Sequence, residues 1–218
     1  MKETAVPAEW FDRWWAPRDF FAAVRALQDQ LPAAEQLTRP EFRPLLEAYA
    51  AGLSTAIRAE TEHLTLRLQD DRFPDFDVRI GNTILPFELV EAGRPGHRRD
   101  EEYREEARRT AAGLPPRKEI FDPAGEETQA ISAIKEAVAR KAAKFDTPPP
   151  HLLVYVNFWI FDTPPLSDRA FGELVAPWYE RFAEIWLLWG LNAIRCWPDP
   201  RRFAAEAPPP GLRPSKDT

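Results

Sequence analysis

Residues 73 to 92 read FPDFDVRIGNTILPFELVEA, and three of their acids, Asp75, Asp77 and Glu88, are spaced to share one face of a strand pair. Side chains alternate faces along a strand, so Asp75 and Asp77 fall on one side of the first run while Phe76, Val78 and Ile80 fall on the other. Glu88 and Val90 likewise share a side of the second run. Gly81-Asn82 suits a two-residue hairpin connection, because Gly accepts positive φ and Asn tolerates the left-handed region better than most residues. Carboxylates gathered on one face repel each other unless water or a cation lies among them. By themselves the letters fit an ordinary solvated face opposite a buried one.

The elements that must position these acids follow from periodicity. Residues 8 to 60 form a helical lead-in, with Pro17, Pro32, Pro40 and Pro44 near helix starts. TLRLQ (65 to 69) alternates as a strand does and, with the hairpin, predicts a three-stranded meander. Pro86 removes a ladder donor, which predicts a bulge or an edge in the third strand. The charged stretch after Gly93 predicts a helix from about Asp100 to near Gly113. In TQAISAIKEAVARKAAKF, residues Ile131, Ile134, Val138, Ala142 and Phe145 recur at helical spacing, so that helix is expected to pack on the sheet. HLLVYVNFWIF suits a strand buried on both faces. SDRAFGELVAPWYERFAEIWLLWG reads as a long helix or helix pair, interrupted at Pro177 and ending near Gly190, and NAIRCWP as a last strand. The expected class is α/β, a mixed central sheet with an αβββαβ core flanked by helices. The expected divisions are a helical extension over 1–44, the α/β domain over 45–198 and a Pro-rich flexible tail over 199–218.

With 218 residues, 44 % of them apolar, and eight Trp and fourteen Phe, the chain can build a substantial core. A formal charge of -6 argues against nucleic-acid binding by net positive charge, so any phosphate contact must be local. The single cysteine, Cys196, excludes an intrachain disulfide framework and a multi-thiolate metal site, which fits a reducing cytoplasm. The N-terminal residues lack a signal-type apolar core, and IWLLWGLNAI is half the length a membrane span needs, so a soluble protein is expected. No Gly-x-Ser-x-Gly, Walker lysine loop or dinucleotide glycine fingerprint occurs.

The order of elements and the hairpin acids resemble the PD-(D/E)xK nuclease superfamily, whose restriction-endonuclease-like core runs helix, three-stranded meander, helix, strand. In that family Pro-Asp opens one strand and an acid-x-Lys triplet lies on the next; the matching residues are Pro74-Asp75 and Glu88-Leu89-Val90, within a likeness covering roughly residues 45 to 197. The resemblance implies hydrolysis of DNA phosphodiester bonds assisted by Mg²⁺ or Mn²⁺, with Asp75 and Glu88 as metal anchors and Asp77 as a substitute or additional ligand. Val90 stands where the family has its lysine, and it can neither orient a water nor stabilise developing charge. Some members supply the lysine from a neighbouring element. Here the amphipathic helix offers Lys135, Arg140, Lys141 and Lys144, of which Lys141 lies beside the apolar stripe and is the expected catalytic cation. A catalytically inactive protein of the same fold, serving as a binding or assembly module, is the alternative that Val90 raises.

Arg94, His97, Arg98 and Arg99 follow the second acidic strand and are the expected contacts to DNA phosphates. Arg104, Arg108 and Arg109 are interleaved with glutamates and are expected to form ion pairs within their own helix. Glu60 and Glu62 fit an ordinary capping or surface role, and either could add a metal ligand, as a helix glutamate does in some relatives of this fold; His63, His97 and His151 have no zinc spacing. The aromatics Trp10, Phe11, Trp14, Trp15, Phe20 and Phe21 are expected mostly in the core, with some offering a homodimer surface or a stacking surface for bases.

Overall fold

Proline opens both helices of the N-terminal layer. α1 (Pro17–Gln28) has Pro17 in its first turn and buries Phe20 and Val24, four residues apart. α2 (Arg43–Arg58) has Pro44 there and buries Leu45, Ala48, Ala51 and Thr55 along one face. The two pack closely because Gly52 carries no side chain: a Cβ there would lie 3.0 Å from the Phe20 ring. The structure is a computed structural model and describes residues 6–11, 13–31, 42–59, 63–70, 73–94, 99–115, 123–144, 151–158, 166–189 and 192–196.

The strands are β1 (Leu64–Leu68), β2 (Phe76–Ile80), β3 (Thr83–Gly93), β4 (His151–Asn157), β5 (Glu184–Trp189) and β6 (Asn192–Cys196), and they lie in the sheet in chain order. β1, β2 and β3 form the expected antiparallel meander, turning at Gly81, whose φ is +58°. β4 then joins β3 in parallel after a crossover through α3 (Arg99–Ala111) and α4 (Pro123–Ala142), since parallel neighbours need a long connection. β5 is parallel to β4, and β6 returns antiparallel. The result is a mixed α/β sheet with helices on both faces.

Alternation along the strands divides the core in two. On one face Leu66, Phe76, Phe87, Leu153 and Trp186 pack with residues of α1 and α2. On the other, Val90, Ala92, Leu152, Val154, Leu187 and Trp189 pack with Ala130, Ala133, Ile134, Ala137 and Val138 of α4. The buried stripe of α4 also includes Ala142, while Ile131 is half-buried and Phe145 lies outside the described residues. Val6, Trp10, Phe20 and Val24 of the N-terminal extension share the first core, and the backbone of Trp15 exchanges hydrogen bonds of 2.8 and 3.1 Å with Leu66, covering the open edge of β1. The tail over 199–218 lies outside the described residues.

Two expectations are corrected. The long helix read over SDRAFGELVAPWYERFAEIWLLWG is a short helix, α5 (Asp168–Val175), capped by Ser167 and followed by a single 3-10 turn, Ala176–Trp178. EIWLLW is strand β5, and every residue in it is buried. The apolar run IWLLW carries no helical period, and five such residues fit a strand flanked on both edges and covered on both faces. Pro86 needs no bulge. β4 begins opposite Phe87, one residue later, so the missing donor of Pro86 falls where the ladder to β4 has not started.

Candidate functional site

The acids of the hairpin meet at the end of β2 where that strand begins. β2 starts at Phe76, so the amide of Leu89 on β3 lies beyond the last ladder partner. The side chain of Asp75 takes that place: its Oδ2 accepts the Leu89 N–H at 2.6 Å, while its own backbone N–H donates to Phe87 O at 2.9 Å. The carboxylate is thereby fixed in orientation. Glu88 lies on the α4 face of β3, with its side chain 7 % exposed.

Lys141, in the last turn of α4, reaches both acids. Its stem follows the apolar stripe, and its ammonium donates to Glu88 Oε2 and lies 3.8 Å from Asp75 Oδ2. The three groups expected to carry the chemistry thus converge from the residue before β2, from β3 and from α4, and both carboxylates face a single cation. Burial pushes the Glu88 carboxyl above the ordinary carboxylate range and the charge of Asp75 adds to this, while the hydrogen bond and charge of Lys141, and the charge of Lys144, act in the opposite direction.

A further carboxylate feels the charge of this cluster. Burial raises the Glu47 carboxyl of α2, and its next largest influence is the charge of Asp75; Arg43 and Lys141 pull it down. Glu47 therefore lies within electrostatic reach of the site. The sequence reading placed the helix glutamate at Glu60 or Glu62, both outside the described residues. Glu47 escaped notice because Arg43, one turn earlier, makes it look like an ordinary surface pair, and that pair does form at 3.0 Å.

Other predicted residues are placed elsewhere. Asp77 is buried on the same face as Glu88, but its carboxylate accepts from Arg67 Nη2 on β1 at 2.8 Å and from the amide of Gln69, the residue after β1, and it is not brought to Lys141. Val90 is packed in the α4-side core. Glu91 points to the opposite face and accepts from Asn157 Nδ2 at 2.7 Å. Arg94 is committed to a two-pronged ion pair with Glu126 in the first turn of α4, with Nε 3.0 Å from Oε2. His97 and Arg98 lie outside the described residues, as does the side chain of Arg99, which opens α3. Arg108 pairs with Glu105 at 3.0 Å, and Arg109 donates to the backbone oxygen of Pro115 at 2.7 Å.

Among the described residues, no three His, Cys, Asp or Glu side chains group closely enough to enclose a metal by themselves. Mg²⁺ keeps several of its waters and is commonly held by one or two carboxylates together with substrate phosphate, so a pair is a sufficient anchor. Asp75 and Glu88 already converge on a positive charge, and these two residues could hold such an ion. Among the described residues no helix is long and apolar enough to cross a membrane. No family model, curated protein or solved structure matches this chain.

Proposed function

We propose that the chain is a metal-dependent nuclease-like protein that hydrolyses DNA phosphodiester bonds, a divergent relative of the PD-(D/E)xK superfamily. The observation that carries this reading is the approach of Lys141, from α4, to Asp75 and Glu88 across the helix–sheet interface, although Val90 holds the position of the family's lysine. The order α2, meander, α3–α4, β4 supports it as well. A bound Mg²⁺ or Mn²⁺ would stabilise charge on the phosphate and favour an ionised water. Asp75 and Glu88 would hold that ion, Asp75 without reorientation because the Leu89 amide already fixes it. The ammonium of Lys141, partly withdrawn from water, would donate to a phosphate oxygen or to the attacking water, where a preset charge acts more strongly than in bulk solvent. A cytoplasmic location belongs to the same proposal and rests on the single cysteine.

The test is incubation of the full chain with plasmid and linear DNA in Mg²⁺ or Mn²⁺, beside Asp75→Ala and Glu88→Ala. Metal-dependent cutting that both substitutions abolish is the expected result; cutting that neither changes overturns the assignment. The second reading, a non-catalytic binding or assembly module, is favoured by the buried Val90 and by the contact that already satisfies the Lys141 ammonium. A folded protein that binds DNA and never cuts it would decide for that reading.

A further inference from the structure

α4 lies over β3 and β4. On the same face of β1 and β2, the side chains of Thr65, Arg67, Gln69 and Arg79 stay partly exposed, and Ile84, paired with Arg79 across the hairpin, is 51 % exposed. Trp14 lies against this surface. Its ring is 4.5 Å from the Arg79 guanidinium and 4.8 Å from that of Arg67, whereas Trp10 and Trp15 pack into the core. Of the two arginines beside Trp14, Arg67 has an acid partner, Asp77, and its side chain remains 34 % exposed.

The face is continuous with the candidate site. Ile84, Pro86 and Glu88 alternate onto the same side of β3, and Asp77 and Arg67 are the successive neighbours of Pro86 across the sheet. Standard strand dimensions put the backbone of Arg67 about 12 Å from that of Glu88. On a chain of net charge -6, two guanidiniums gathered at an indole at that distance from the acids are complementary to a phosphate backbone.

We infer that this face is a platform for a single strand of DNA leading to Asp75, Glu88 and Lys141, an inference that rests on the nuclease reading. Arg67 and Arg79 take successive phosphates, and the partly exposed Trp14 ring and Ile84 offer a base an apolar surface. A half-exposed indole beside two guanidiniums suits an unpaired base, whose flat face is open, better than a duplex, whose bases are stacked on each other.

The experiment is fluorescence anisotropy of a labelled oligothymidylate and of a duplex of equal length, without metal, over a series of salt concentrations. Wild type is expected to prefer the single strand. Arg67→Gln/Arg79→Gln should weaken binding by about 10-fold or more and lower the salt slope by about 1.4, since each lost phosphate contact on a single strand removes about 0.7. Trp14→Ala should weaken it by about 5-fold or more, the scale of one lost base stack. Arg169→Gln, an exposed arginine on α5, should bind as wild type does. Arg79→Gln alone keeps the test decisive if the double variant melts early, because Arg79 makes its polar contact with Thr65 Oγ1, at 3.2 Å, without joining the core. Wild-type affinity in Arg79→Gln and Trp14→Ala, a preference for duplex insensitive to Trp14, or no binding by wild type would each overturn the platform. Loss of cutting in Asp75→Ala with unaltered binding in the platform variants overturns the platform alone. Platform-dependent binding by a wild type that never cuts overturns the nuclease reading alone.

Discussion

Replacing Lys141 by Met keeps the aliphatic stem against the stripe of α4 and removes the ammonium from between Glu88 and Asp75. Glu88, 7 % exposed, then loses the hydrogen bond and the charge that hold its raised carboxyl down, so that carboxyl rises further. At 3.8 Å the attraction between Lys141 and Asp75 alone is about 4 kcal/mol at an effective dielectric near 20. Asp75 is 29 % exposed, and solvent screening together with the desolvation of the ammonium itself cuts the net effect. A loss of about 2–3 kcal/mol at pH 8 is expected, below the total stability of an ordinary domain, so the variant folds. The direction with pH follows from the raised carboxyl. Its penalty is absent below the unfolded value near 4.3, where Glu88 is protonated in both states, and sets in as pH climbs through the raised native value. Urea unfolding of the metal-free protein at pH 4 and pH 8, on wild type, Lys141→Met, Glu88→Gln and the double variant, reads both effects. The double variant should recover about 2 kcal/mol relative to the sum of the singles. A cost equal at the two pH values, or strict additivity, would refute the reasoning. Cleavage by Lys141→Met should fall about 100-fold or more, the scale of one lost electrostatic contact in a transition state, while Lys144→Met, at an exposed position, does little.

Glu47→Gln relieves a carboxyl raised by burial and by Asp75, so its stability relative to wild type should grow as pH rises above the ordinary carboxylate range and be absent at pH 4; urea midpoints that shift equally at both pH values would contradict this. Asp77→Asn weakens the pair with Arg67 and should cost about 1–2 kcal/mol in unfolding experiments while leaving metal-dependent cutting near wild type; loss of cutting in a folded variant would return Asp77 to the metal site. Gly52→Ala gains helix propensity, about 1 kcal/mol, but its Cβ meets the Phe20 ring at 3.0 Å and the Phe21 backbone at 3.5 Å, so a net loss of about 1 kcal/mol and a melting temperature lower by about 2–4 °C are expected in calorimetry.

The sequence by itself determined whatever depends on local period and turn chemistry. Gly81 marked the hairpin, alternation put Glu88 and Val90 on one face and Glu91 on the other, and the 3.6-residue period of α4 put Lys141 beside the stripe that faces the sheet. Those features are fixed by steric preferences acting over a few residues. Only the tertiary structure decided the rest. EIWLLW carries no period of its own and became a strand because β4 and β6 pair with its two edges and apolar layers cover its two faces. Pro86 is tolerated because β4 starts at His151, opposite Phe87, a register set by a segment far along the chain. Asp77 shares the alternation of Asp75 yet belongs to Arg67 and Gln69, since β1 and the residue after it supply donors at that level, and Glu47 of α2 feels the charge of Asp75 from a helix remote in sequence. Each of these turns on which distant groups are brought within a few ångströms, and Coulomb and hydrogen-bond energies that fall off over that range leave no trace in the local order of residues.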